Sequence, residues 1–274
     1  MLQLTVDKAQ TLKEFTENNC AQASFYWTYL LKNKDIKVNG ERVKGDVQLA
    51  IGDTVCYYLT PKQEEKPVFH LVYEDENILI VDKESGVNSE AVYADLARKR
   101  ICYFIHRLDR NTKGLLVFAL TEQAEKVLLS AFRERKVEKV YHALCFGMPE
   151  KEKAVLTAYW KKDESRSLVK IFDKPRDGAE KIVTEYKILC QENGLTKLEV
   201  ILHTGKTHQI RAHLAHIGCP IVGDMKYGKT EENKRFSSSR QCLVAKRLKL
   251  FLDGEFSYLA EKEFFSRFQA ELQK

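Results

Sequence analysis

With 274 residues, 44% of them apolar, the chain is long enough to bury a sizeable core in one large domain beside a small companion, and its composition excludes a disordered segment. Its 45 basic and 39 acidic side chains give a modest net charge of +6. No apolar run approaches the roughly 20 residues of a membrane-spanning helix, and the opening MLQLTVDKAQTLKEF lacks the basic start and apolar run of a secretory leader. A cytoplasmic protein is therefore expected. The seven cysteines are odd in number and none sits at CxxC spacing, which fits reduced thiols rather than a disulfide framework or a thiolate zinc site.

In chain order, residues 1–60 read as a compact α/β module. Helical patterns over 11–18 and 25–32 precede strands near 36–39 and 54–59. Asn39-Gly40 is a hairpin dipeptide and Gly52-Asp53 a second turn. Seven basic and seven acidic residues leave this module neutral. Residues 61–67, within the polar and proline-bracketed TPKQEEKP, are expected as a linker. Residues 68–274 are expected as a second domain. Runs at 68–73 and 78–81 flank the turn at 74–77, and 115–120 is an apolar run of strand length. Thr121 is placed to cap a helix carrying Val127, Leu128, Ala131 and Phe132 on one face. Strands follow at 140–146, 168–172, 182–189 and 195–202, the last two joined through Asn193-Gly194, with a helix after Thr207. Hairpins mixed with a few helices predict an α+β fold with a mixed, largely antiparallel sheet.

Three segments carry chemistry. In His106-Arg107-Leu108-Asp109-Arg110-Asn111-Thr112-Lys113-Gly114, one carboxylate lies among cations in a loop that feeds a buried strand. Positive neighbours keep such a carboxylate ionised, as nucleophilic work requires, although a structural Asp bridged to arginine has the same appearance. The run from His203 to Leu214 contains Gly205-Lys206-Thr207, the tail of a P-loop, but Val200 stands where that motif needs glycine. Its histidines 203, 208, 213 and 216 match no familiar metal spacing, and no metal site is expected. A glycine-led turn opening a helix that presents Arg211 is the better fit. Tyr141 lies in a strand, where an aromatic is commonly core. Between Lys226 and Lys249, eight basic residues face only Glu231 and Glu232, a stripe suited to phosphate contacts although charge alone favours a solvated loop.

The combination HRLD-x2-T-x-GLL, K-x-Y-x-A-L, TG-x-THQIR-x-HL and the run from Gly218 through Asp224 to Gly228 resembles the RluA-type pseudouridine synthases, in the family's order and over about residues 68–250. The module at 36–53 resembles an S4-like RNA-binding domain, though without that family's early Arg-Leu-Asp element. The resemblance implies a pseudouridine synthase fold with a central cleft, acting without metal, redox or nucleotide cofactor. It implies structured RNA as partner, large-subunit ribosomal RNA first and transfer RNA second; a monomer is expected. By the same resemblance Asp109 is the catalytic carboxylate, Arg211 its ion partner, and Tyr141 the aromatic at the uracil. Arg107 is expected to fill the space left by a flipped nucleotide, and Leu108 and Ile210 to line the pocket. Lys37, Arg42, Lys206, His208, Gln209, Lys234 and Arg235 are expected to contact RNA, and His106 to hold the loop. The chain departs from the family at Lys113, Lys206 and Lys83-Glu84-Ser85-Gly86, none of which is Asp109, Tyr141 or Arg211. A non-catalytic RNA-binding or assembly protein on this fold is the main rival, and it predicts loss of the carboxylate or its partner. A metal-dependent hydrolase is the other.

Overall fold

A computed structural model describes residues 1–163, 168–236, 240–260 and 262–272, with the backbone alone at Arg235. The first sixty residues form a four-stranded antiparallel sheet, in the order Leu2–Thr5, Thr54–Tyr57, Ile36–Val38, Glu41–Arg42. Helices Leu12–Asn19, Ala21–Phe25 and Trp27–Asn33 complete the module. Leu12, Phe15, Leu30, Ile36, Val55 and Tyr57 form its buried core. Thr11 caps the first helix by accepting the Glu14 amide at 3.1 Å. The hairpin turn uses positive φ at both Asn39 (50°) and Gly40 (85°), as the Asn-Gly pair predicts. The expected linker is not unstructured: Thr60 and Gln63 form a capping box around the helical turn Pro61–Glu64.

The rest is built on one mixed sheet of eleven strands. Its main path runs Leu168–Phe172, Lys153–Asp163, Glu180–Glu192, Leu195–Leu202, Val137–Phe146, Leu243–Leu250, Lys113–Ala119, Ile78–Lys83, Phe69–Glu74. Tyr103–Phe104 and Glu263–Phe265 pair beside that path. Among the described residues every pairing is antiparallel except one, between Lys113–Ala119 and Leu243–Leu250, where Lys113 opposes Val244 and Gly114 opposes Ala245. At this seam a Cβ on Gly114 would lie 2.3 Å from the carbonyl oxygen of Ala245, and the residue's φ is +114°. Only glycine allows that approach.

Ile78–Lys83 and Lys113–Ala119 are buried on both faces, which explains their unbroken apolar runs. Leu79, Val81, Leu116 and Phe118 share one core with Ala91, Val92 and Leu96 of the helix Ser89–Ala97. Ile78, Ile80, Leu115 and Val117 share the other with Ala124, Leu128 and Ala131 of the helix Glu122–Arg133. The N-terminal module packs against the first of these helices. Asn88 donates to Asn18 at 3.2 Å, Arg98 to the carbonyl of Asn19 at 2.9 Å, and Glu17 is ion-paired with Arg110.

Candidate active site

The loop carrying Asp109 enters the seam strand, and hydrogen bonds pin it on both sides. Ser89 Oγ accepts the Leu108 amide at 2.9 Å and donates to the Leu108 carbonyl at 3.1 Å. The Arg110 carbonyl accepts the Gly86 amide at 2.9 Å and Lys83 Nζ at 3.1 Å. Thr112 accepts from Gln241 at 2.9 Å, which ties the loop to the approach of the neighbouring strand. Lys83 is fully buried, and its ammonium also donates to the carbonyls of Glu84 and Val87. Burial depresses its pKa to about 7 against the opposing charge of Asp109. A charge-bearing loop held from four directions fixes where its carboxylate points.

Asp109 retains 22% of its side-chain exposure, and its Oδ2 accepts Arg211 Nη1 at 2.8 Å. Arg211 projects from the helix Gln209–His216, which the turn after Gly205 starts, with His208 in the left-handed region at φ 54°. The other side of the guanidinium grips Asp224, from Nε to Oδ2 at 2.7 Å and from Nη2 to Oδ1 at 3.0 Å. Asp224 is completely buried and also accepts the amides of Lys226 and Tyr227 at 2.8 and 3.1 Å. Burial alone raises a carboxyl, but the bonds and charge of Arg211 outweigh it and hold Asp224 below its usual range. Burial likewise opposes the charge on Arg211, and Asp224 and then Asp109 more than restore it. The result is a preset fork with one carboxylate behind it and one in front.

Tyr141 lies where the pairing of Val137–Phe146 with Leu243–Leu250 slips, so that Val140 opposes Arg247 while Tyr141 opposes Ala245. Such a bulge re-aims the side chain beside it. The ring is 8% exposed, and burial followed by the Asp109 charge pushes its phenol up, keeping it neutral. His208 Nε2 stands 4.0 Å from Asp109 Oδ2, and its Nδ1 lies 2.9 Å from the Tyr227 hydroxyl. Burial lowers His208 to about 4 despite Asp109, with Arg211 and Lys226 adding to the fall. Tyr227 accepts the Val169 amide at 2.9 Å and lies beneath the Arg211 guanidinium at 5.3 Å.

These groups open on a cleft of about 740 Å³. Leu108 and Ile210, each 4% exposed, form apolar wall beside Asp109 and Tyr141. Arg107 lines the cleft with 65% of its side chain exposed and bonds Glu90 at 3.0 Å. Four further cations on the lining, Arg133, Arg135, Lys139 and Lys181, escaped the sequence analysis. Lys139 stands in the quoted K-x-Y motif and carried a signal; the other three carried none. Asp224 and Tyr227 also lay within a quoted run without a role assigned. His106 accepts the Val117 amide at 3.2 Å and stacks on Phe132 at 4.6 Å. Burial, then Lys139, depresses it to about 3, so it is a neutral brace for the loop, as expected.

Several expected RNA contacts are placed differently. Gln209 is 2% exposed and uses its whole amide internally, donating to Val183 and Thr184 and accepting from Thr204 and the Lys206 amide. It shapes the turn and has no group left for RNA. Lys206 lines the cleft but is ion-paired with Glu180. Lys37 and Arg42 face each other across the N-terminal hairpin, outside the cleft lining. Lys234 pairs with Glu231 at 2.9 Å along its own helix, and the Arg235 side chain lies outside the described residues. The basic stripe does not form one face. Lys246 donates to the carbonyls of Ser266 and Phe268, while its strand neighbour Arg247 pairs with Glu138 and Glu263. The four histidines of the 203–216 run also disperse, to Glu185, Tyr227, Thr184 and Asp173 respectively.

A family model described as RNA pseudouridylate synthase matches residues 65–216. The ribosomal large subunit pseudouridine synthase C of Rickettsia felis is 32% identical to this chain, over 73% of it and 75% of the relative. The protein of the same name from Vibrio cholerae is 31% identical over 73% of the chain and 70% of its own length. An uncharacterized RNA pseudouridine synthase of Aquifex aeolicus is 33% identical over 74% and 72%. Among solved structures, human RNA pseudouridylate synthase domain containing 1 superposes with a TM-score of 0.60 at 26% identity, covering 68% of this chain and 79% of that one.

Proposed function

As a member of the RNA pseudouridylate synthase family, the chain is an RNA pseudouridine synthase, and we propose that it isomerises uridines of large-subunit ribosomal RNA with Asp109 as its catalytic carboxylate. The observation that carries the catalytic assignment is the 2.8 Å bond from Arg211 to Asp109 at the base of an open cleft. The substrate assignment rests on the relatives named for the large ribosomal subunit, which match across most of their length.

The reaction breaks the C1′–N1 glycosidic bond, turns the uracil within the cleft, joins C1′ to C5 and releases the C5 proton to solvent while N1 takes one up. It is an internal rearrangement in which no electrons are exchanged with a second molecule. It asks for a fixed anion at the sugar–base junction, a way to hold the loosened base, and an exposed nucleotide. Asp109 meets the first need, since Arg211 engages only its Oδ2 among the described residues and leaves the second oxygen to the substrate. Asp224 keeps the guanidinium from shifting as charge develops. The neutral ring of Tyr141 stacks on the uracil, and Leu108 and Ile210 exclude water beside it. Extruding a nucleotide costs a few kcal/mol, and the exposed guanidinium of Arg107 offsets part of this by occupying the vacancy. Arg133, Arg135 and Lys181 meet flanking phosphates.

The N-terminal module acts as an S4-like RNA-binding unit, in keeping with its hairpin at Asn39-Gly40 and the exposed Lys34, Arg42 and Lys44. We place the enzyme in the cytoplasm as a monomer that contacts RNA directly. No helix among the described residues is long and apolar enough to cross a membrane, and the seven cysteines are free thiols. Mapping pseudouridines in large-subunit ribosomal RNA from cells with and without the gene tests the substrate: one or more sites should vanish with the gene. An unchanged ribosomal RNA map alongside lost transfer-RNA sites would contradict it.

A further inference from the structure

The loop that presents Asp109 has a second face. Asp109 and Thr112 line the catalytic cleft, whereas Arg110, Asn111 and Lys113 line a separate cavity of about 530 Å³. Phe25 of the N-terminal module, Lys66 of the connecting segment and Arg240 close its other walls. Four cations, Lys66, Arg110, Lys113 and Arg240, thus surround this space with one carboxylate, Glu84, among the lining residues, while Arg110 is also ion-paired with Glu17 of the N-terminal module. Glu84 is already engaged by His70 at 3.3 Å and Lys113 at 3.9 Å.

The cations are held in place by the fold. Lys66 Nζ sits 3.4 Å over the Phe25 ring, and Lys113 Nζ is 4.7 Å from the Phe268 ring. Arg110 Nε donates to the Gly86 carbonyl at 3.0 Å. Burial lowers the Lys66 amine, Arg240 lowers it further, and Glu84 opposes them. Cations gathered around one space attract an anion placed among them. The cavity exceeds what one phosphate fills.

We propose that this second cavity binds a backbone phosphate of the RNA substrate, seating the strand between the N-terminal module and the catalytic domain, away from the target uridine. It rests on the RNA-modifying function proposed above. A phosphate there contacts the same loop that carries Asp109, so docking of the distant strand and aim of the carboxylate share one element. The departure from the family pattern at Lys113 supplies one of its cations.

The test compares the full chain with its Lys66→Gln, Lys113→Gln, Arg240→Gln triple variant, both titrated with unmodified large-subunit ribosomal RNA transcribed in vitro, across a salt series. The expected result is at least a tenfold weaker affinity and a slope of log K against log salt shallower by about two to three. Equal affinity and slope in the two proteins overturn this proposal and leave the enzyme assignment standing. If the unsubstituted chain fails to bind RNA, the RNA-modifying function falls and this cavity's role with it. A second readout needs no substitution: acetylation of Lys66 and Lys113 by an N-hydroxysuccinimide ester, followed by mass spectrometry. RNA should protect both amines at least severalfold, and equal labelling with and without RNA counts against the proposal.

Discussion

Arg211 joins two carboxylates from different parts of the chain, donating one bond to Asp109, 102 positions away, and two to the fully buried Asp224. The front carboxylate is open to the cleft and the rear one is sealed. The two aspartates share one guanidinium but stand differently: the first can be reached from the cleft, and the second holds the fork from behind.

Removing the charge from the front carboxylate removes the chemistry and spares the fold. Asp109→Asn should lower turnover by a factor of about 10⁴ or more, with RNA affinity within a few-fold of wild type. Single-turnover kinetics beside a binding titration separate the two effects.

Loss of the rear carboxylate should be felt in stability as well. Asp224→Ala leaves a buried guanidinium with two of its three carboxylate bonds gone, a change worth about 3–5 kcal/mol. For a chain of this size that corresponds to a fall in Tm on the order of 10 °C. Arg211→Lys keeps the charge without the fork, so it should lose most turnover even where it folds. Thermal unfolding and kinetics on both variants check this, and wild-type turnover in Arg211→Lys would sink the fork's role.

The sheet seam makes a purely structural prediction. In Gly114→Ala the new methyl meets the Ala245 carbonyl at 2.3 Å in a positive-φ conformation. Strand separation is the only relief, and a loss of about 2–4 kcal/mol is expected from denaturant titration. Activity should fall more steeply than stability, because the same strand carries the Asp109 loop.

Acid should destabilise the fold well above the usual carboxylate range. Burial depresses His106 to about 3 and His208 and His213 to about 4, from 6.5. Groups with lowered folded pKa take up protons more readily when unfolded. Their contribution is thus complete above pH 6.5 and is lost as pH falls from there to about 4, then 3. Each proton steepens the dependence by up to about 1.4 kcal/mol per pH unit. His106→Gln should flatten the curve by about one proton, measured from unfolding free energies between pH 7 and 4.

Much of the site was legible because its three central residues stand in local motifs: Asp109 in a turn, Arg211 on the helix that follows the Gly205 turn, Tyr141 on a strand. The sheet's antiparallel hairpins were legible too, through alternation and the Asn-Gly turns. What escaped depends on three-dimensional pairing. Nothing in a linear reading tells a sealed carboxylate such as Asp224 from an exposed one. The basic stripe misled for a related reason, since Lys246 and Arg247 are adjacent in sequence but serve opposite faces of a strand. The strand Lys153–Asp163 went unread because its lysine-rich, half-exposed pattern lacks a continuous apolar face. The cleft cations Arg133 and Arg135, at the end of the helix Glu122–Arg133 and just past it, meet Lys181 of the strand Glu180–Glu192 only in the closed fold.

The most direct trial of the account is release of tritium from RNA carrying [5-³H]uridine, run with the purified chain and its Asp109→Asn variant. Isomerisation exchanges the C5 hydrogen, so the wild-type chain should release tritium in proportion to pseudouridine formed and the variant should release none above background. Comparable release from both would contradict the role assigned to Asp109, and no release from either on large-subunit ribosomal RNA would contradict the proposed substrate.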